Sequence, residues 1–167
     1  MLQMKLCGDL VLRTKCEPVT DIDADLLSTM DEMVDMMRAQ NGVGLAAPQV
    51  GLLSRFLVML DPDTETVYRM INPQIISYGA EDCIMEEGCL SVLGNDGLPV
   101  YANVTRPSTV VVSWLDEHGD EKMAQMSGLP ARIVQHETDH LDGKLFVDYL
   151  SPIRREMLMR KVRKNKQ

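Results

Sequence analysis

"QHETDHLDG" (residues 135–143) sets two of the chain's three histidines four residues apart, with a glutamate directly after the first. Side chains four apart stack on one face of an α-helix, so His136 and His140 can offer two imidazoles to one metal ion. Glu137 sits one residue on, within reach of a water on that metal without being a ligand itself. This is the HExxH arrangement, in which a metal acidifies water and a carboxylate takes its proton. The competing reading is a helix with two histidines in the core or at the surface. The longer segment "ARIVQHETDHLDG" (131–143) lacks the alternation of a strand and ends at Gly143, a natural helix terminator.

Two histidines leave a catalytic metal short of its usual third protein ligand. Metzincins add a histidine after HExxHxxG, but here Phe146 stands at that position, and the only glutamate after His140 is Glu156, inside an arginine-rich tail. Upstream, "EEGCLSV" (86–92) puts Cys89 in what reads as an exposed turn or edge strand. A thiolate suits Fe2+ or Zn2+ and would complete a Cys-His-His set with one position open for water. On its own Cys89 reads as a small buried hydrophobe. The missing third ligand is what favours the metal role.

The rest of the chain reads as a support for that site. A length of 167 residues fits one domain, 1–167, with a single sizeable core. Aromatics are scarce at 4% and methionines number 13, so thioethers are expected to fill the core. Residues 24–39 place Leu26, Met30, Met33, Val34 and Met37 on one helical face, a stripe that reads as core. The glycine-rich "NGVGLAAPQVG" (41–51) reads as loop. Residues 55–73 and 108–126 read as two hairpins closed by "DPDTE" and "DEHGD", with His118 a solvated turn residue in the second. Ser151 and Pro152 can open a last helix over about 152–164. Strands early and in the middle with segregated helices argue for an α+β fold.

The net charge of −8 is unevenly spread. Residues 151–167 carry seven basic side chains against Glu156 alone, so the first 150 hold ten basic and 24 acidic groups, a net −14. A basic tail on an acidic body points to a polyanionic partner, or else to a solvated helix. The opening residues contain no apolar run of signal-peptide length, and no stretch approaches a membrane span. Four cysteines without CxxC spacing suggest reduced thiols and a cytoplasmic protein. No membrane or DNA partner is expected.

Three segments in order, "GVGLAAPQ" (42–49), "EGCLS" (87–91) and "QHETDHLDG" (135–143), resemble the signature motifs of the peptide deformylases. The resemblance runs the length of the chain, from "GDLVLRTKCEPV" near the start to "LFVDYLSP" before the last helix. It implies a compact α+β fold with antiparallel or mixed sheets around a central metal helix, and removal of the formyl group from N-terminal formylmethionine, releasing formate. Cys89, His136 and His140 match the metal ligands, with Fe2+ the expected native ion and Zn2+, Ni2+ or Co2+ able to replace it. Glu137 matches the general base. Gln49 matches the residue whose amide binds the formyl oxygen, with the Leu90 N–H as partner donor. Gly44 matches the glycine whose backbone lines the substrate cleft. Val43, Leu129 and Ile133 are candidates for the methionine pocket, core packing being the competing role for each. The resemblance also implies that the C-terminal helix can dock on ribosomal RNA.

The chain departs from that pattern in places. The segment "VLGNDGLPVYANVTR" (92–106) is longer than the family's usual loop. Arg106 reads either as the basic partner of Glu87, bracing the cysteine turn, or as a surface arginine. Pro130 replaces a residue usually apolar, and Arg132 borders the expected pocket. A zincin-type endopeptidase would share His136, Glu137 and His140 but would not need Cys89 or Gln49. A non-catalytic metal protein would need neither Glu137 nor Gln49.

Overall fold

The computed structural model describes residues 2–163. A five-stranded antiparallel sheet carries the fold in the order β1-β2-β3-β6-β7, where β1 is Gly44–Ala46, β2 Phe56–Asp61, β3 Thr66–Tyr78, β6 Thr109–Leu115 and β7 Glu121–Ser127. β4 (Asp82–Glu87) and β5 (Ala102–Pro107) pair only with each other. Three helices, α1 (Ala24–Ala39), α2 (Gly128–Leu141) and α3 (Pro152–Met159), complete the α+β arrangement. Among the described residues, no helix is long and apolar enough to cross a membrane.

β2 lies between the two longer helices, and its alternation divides the core. Leu57 and Met59 pack with Met70, Val112 and Val134 on the α2 side, while Phe56 and Val58 pack with Met30, Met33 and Met37 of α1. The methionine stripe is therefore core, as its spacing indicates. Asp23 caps α1 by accepting from the Leu26 N–H at 2.8 Å. α2 is buried nearly all round, with ten of its fourteen residues inside, five of them titratable or amide side chains (Arg132, Gln135, His136, Glu137 and His140). A helix of that composition persists in the interior where partners meet most of its polar groups, and one left unpartnered among the described residues, Glu137 Oε2, marks the site.

Three expectations need correcting. Residues 44–46 are not loop: they form β1, paired as Gly44↔Met59, Leu45↔Val58 and Ala46↔Leu57, and a 3-10 turn follows at Ala47–Val50. Glycine and alanine carry weak strand preference, and the β2 edge supplies what propensity does not. The β4–β5 pair is a strand element that the sequence does not announce. The last helix is shorter than 152–164: it ends at Met159, after which Val162 bridges to Gly94, and residue 164 lies outside the described residues. Leu158 and Val162 anchor this segment in a third core cluster with Val104 and Phe146, whereas Ile153 and Met157 are exposed at 73% and 61%.

α2 stops where Gly143 turns the chain with φ +72°, and a Cβ there would stand 2.7 Å from the Arg13 carbonyl oxygen. Gly143→Ala therefore meets both a left-handed backbone and a backbone clash. We expect a loss of about 1–3 kcal/mol in stability, read as a lowered thermal midpoint; an unchanged midpoint would mean that the turn relaxes freely.

Candidate metal centre and its cleft

α2 presents His136, Glu137 and His140 to the turn after β4, where Cys89 lies. One donor atom from each of Cys89, His136 and His140 falls within 4.8 Å of the others, and all three residues are buried. Cys89 Sγ stands 3.3 Å from His140 Nε2. Cys89 is thus not in an exposed turn, as its polar surroundings suggest, but inside. Its sulfur accepts from the Ser91 N–H at 3.4 Å and from Gln49 Nε2 at 3.5 Å, and these donors take the place of water.

Glu87, the last residue of β4, organises the other side of the centre. It accepts from Arg106 Nε at 2.7 Å and Nη2 at 3.0 Å, from Arg132 Nη1 at 2.7 Å, and from His136 Nδ1 at 2.8 Å. Burial opposes its charge, but the hydrogen bonds from His136 and Arg106 outweigh burial and hold its carboxyl well below the usual range. An ionised carboxylate can only accept, so His136 carries its proton on Nδ1 and turns Nε2 toward the other donors. Carboxylate–histidine pairs of this kind fix the ring of a metal ligand. Phe146, at the position where a third histidine is absent, stacks on the His136 ring with centroids 6.0 Å apart. Burial, with the charge of Arg106 beside it, keeps His140 well below its ordinary pKa, in the neutral form that ligates.

Glu137 points away from this network. Burial pushes its carboxyl up to about 7, and its Oε2 has no hydrogen-bond partner among the described residues. A Cβ on Gly44 would lie 2.7 Å from Cγ and Cδ of Glu137, so the carboxylate rests on bare backbone of β1. Gln49 Oε1 accepts from the Ala46 N–H at 2.8 Å, which sets the amide so that Nε2 faces the Cys89 sulfur and Ser91 Oγ. A cleft of about 350 Å³ opens onto these groups, and Val43, Gly44, Gln49, Leu90, Leu129 and Ile133 all line it together with Cys89, His136 and Glu137. Val43 and Leu129 are over one-third exposed while Ile133 is buried, so the apolar wall runs from the mouth inward. His140 lies behind it. Among the described residues the Leu90 N–H has no protein acceptor.

The family model described as Polypeptide deformylase matches residues 1–156. The chain belongs to that family. A peptide deformylase of Halothermothrix orenii is 45% identical over 158 residues, covering 95% of this chain and 99% of the relative. Among solved structures, a peptide deformylase from Legionella pneumophila superposes with a TM-score of 0.88 at 39% identity, covering 96% of this chain and 92% of that one. One from Synechococcus elongatus, solved in complex with actinonin, gives a TM-score of 0.87 at 38% identity, with coverage of 96% and 85%.

Family likeness alone does not describe the polar support of the centre. Arg106 is the buried brace of Glu87 rather than a surface arginine, and its Nη1 also donates to Asp139 Oδ2 at 2.7 Å, which accepts from Tyr149 as well. Arg132 borders the cleft but spends its guanidinium on Glu87 and on the carbonyls of Val104 and Cys83. Pro130 sits in the first turn of α2, where its missing N–H costs nothing. Asp139, Ser91 and Tyr101 are participants that the sequence reading passes over. Tyr101 had one signal: Gly88, before the cysteine, is bare because the Tyr101 ring lies on it, with Cδ1 2.7 Å from where a Cβ would stand.

Glu87→Gln would keep the shape and remove the charge that orients His136. Affinity for a divalent metal should fall about 10- to 100-fold in competition with a chelator, and stability by about 3–5 kcal/mol. A folded variant with unchanged metal affinity would show that His136 does not need Glu87 to ligate.

Proposed function

We propose that this chain removes the formyl group from the N-terminal formylmethionine of nascent polypeptides and releases formate. The observation that carries the reading is the amide nitrogen of Gln49 at 3.5 Å from the Cys89 sulfur, an oriented donor beside a metal-ligand set. Membership of the deformylase family supports it. The donor chemistry fits a cation: a buried thiol and two imidazoles converge, one of them fixed in its tautomer by an ionised carboxylate. A divalent ion on Cys89, His136 and His140 supplies Lewis acidity, making a water ionisable near neutral pH. Sulfur with two nitrogens suits Fe2+, which we take as the native ion, while Zn2+, Ni2+ or Co2+ can use the same donors.

The remaining work falls to the chain's own residues. Glu137 takes the proton from water and returns it to the leaving amine, and a carboxyl with a pKa of about 7 is well matched to both directions. Gln49 Nε2 and the Leu90 N–H hold the oxygen on which charge develops, each such donor being worth about 100- to 1,000-fold in rate. Gly44 leaves room for Glu137 and lends its backbone to the cleft. Val43, Leu129 and Ile133 form the apolar wall for the methionine side chain. A formyl carbon carries only hydrogen beyond its oxygen and nitrogen, so a narrow site admits it and excludes larger acyl groups. A ligand thiolate requires a reducing compartment, which supports action in the cytoplasm.

Glu137→Ala, purified without air, should retain its metal and release formate from formyl-Met peptides about 100- to 10,000-fold more slowly. Loss of the metal in this variant would make Glu137 a ligand and overturn its role.

Contact with ribosomal RNA is the companion proposal for the basic tail. Arg155 pairs with Asp148 and Arg160 with Glu156, which leaves Arg154, Lys161 and Arg163 without an ion pair among the described residues; Lys164 and Lys166 lie outside the described residues. Charge reversal at Arg163, Lys164 and Lys166 should abolish co-sedimentation with ribosomes at low salt and leave activity on short peptides intact. Equal sedimentation would refute the contact.

A further inference from the structure

We infer that the substrate cleft continues into a second groove, which binds the downstream part of the same formylated peptide and favours acidic side chains there. The inference rests on the deformylase reading of the cleft. A cavity of about 390 Å³ lies between α3 and the start of β5, and its lining includes Tyr101, Met157, Arg154 and Lys161. Tyr101 also lines the active-site cleft, so one side chain borders both spaces. Tyr101 is thus the shared border that a peptide leading out of the cleft would follow to reach the groove.

The groove is a built feature of this chain. The long segment after the cysteine turn folds back on itself, with Val100 N–H donating to the Val92 carbonyl and Gly94 N–H to that of Leu98. Two further backbone bonds, Asn95 N–H to the Lys161 carbonyl and Arg163 N–H to the Leu93 carbonyl, fasten it to the end of α3. The added loop and the C-terminal segment thus form one wall, and the ring that sits on Gly88 stands where groove and cleft meet. The floor is apolar and open: Tyr101 is 58% exposed and Met157 61%.

Charge selects the occupant. Arg154, Met157, Leu158 and Lys161 follow one another at helical spacing and share the groove-facing side of this segment. Among the described residues, Arg154 and Lys161 make no ion pair, whereas Arg155 and Arg160 on the other side both do. Two unpaired cations rim an apolar trough on a chain whose first 150 residues carry a net −14. An extended peptide with carboxylates a few residues beyond its methionine complements that rim, and a basic one is repelled by it. Binding remote from the reacting carbonyl acts on ground and transition states alike, so it lowers KM and leaves kcat in place.

The test compares formyl-Met peptides with amidated C-termini on the metal-loaded enzyme. One set is a short formyl-Met-Ala amide; the other is extended by several residues, either Glu-containing or Lys-containing. Amidation removes the terminal carboxylate, so any charge effect comes from side chains. We expect the acidic long peptide to show a KM about fivefold below that of the short one at equal kcat, with the gain reduced by salt. The Arg154→Glu/Lys161→Glu variant should lose that gain and process the short peptide as before. Normal turnover of the short peptide with no gain on lengthening, an equal gain for the Lys-containing peptide, or a gain that survives the double substitution would each overturn the groove and leave the deformylase reading intact. No formate from the short peptide would bring down that reading and the groove with it.

Discussion

Glu87 is a carboxylate in the interior with two guanidinium groups and an imidazole on its two oxygens, and the geometry of the site follows from that arrangement. Ionised, it fixes the tautomer of His136 and so decides which nitrogen faces Cys89 and His140. It also joins β4 to β5 through Arg106, and both strands to α2 through Arg132. A buried charge surrounded this way is costly to desolvate and more costly to leave unpaired. The two-stranded sheet and the metal helix are therefore bound to each other as much by ion pairing as by apolar contact, and Asp139 and Tyr149 extend the network to the 3-10 turn before α3.

The same constraint separates the two carboxylates that flank His136. Glu87 is held charged by donors on every side, whereas Glu137 has burial and no compensating donor on Oε2, so one stays ionised and the other titrates near neutrality. A carboxyl that titrates and a carboxylate that orients are thus distinguished by surroundings and not by residue type. Gly44 belongs to this division of labour. With no side chain it lets β1 lie against Glu137, and the strand that borders the cleft also sets the position of that carboxyl.

What the sequence discloses depends on how each element is held. α1 and the two hairpins follow apolar periodicity and are legible, because burial of one face is all that specifies them. The donors Cys89, His136 and His140 can be singled out from helical spacing, a missing ligand and family motifs, and they do lie together. β4 and β5 are illegible for a physical reason: Glu87 and Arg106 point inward at positions where a strand pattern needs apolar residues, so the alternation is broken by the ion pair that holds them. The burial of Cys89 is hidden likewise, since its backbone and amide donors come from Ser91 and from Gln49, forty residues upstream. β1 escapes because Gly44 and Ala46 answer to the helix above them and not to strand preference.

The long loop after the cysteine turn borders the cleft through Pro99 and Tyr101 and is otherwise fastened elsewhere. The candidate ligands and Glu137 sit on α2 and on a turn pinned by Glu87 and Gln49, while Leu93 and Asn95 are tied outward, to the segment after α3. Loop insertions cost little entropy when both ends are already fixed, and function varies most readily on loops carried by a rigid scaffold. Tyr101 is where the two regimes meet: its ring rests on Gly88, next to a metal-ligand candidate, and its open face belongs to the outer groove. Changes in the loop can therefore reshape the outer groove without moving Glu137 or the candidate metal ligands.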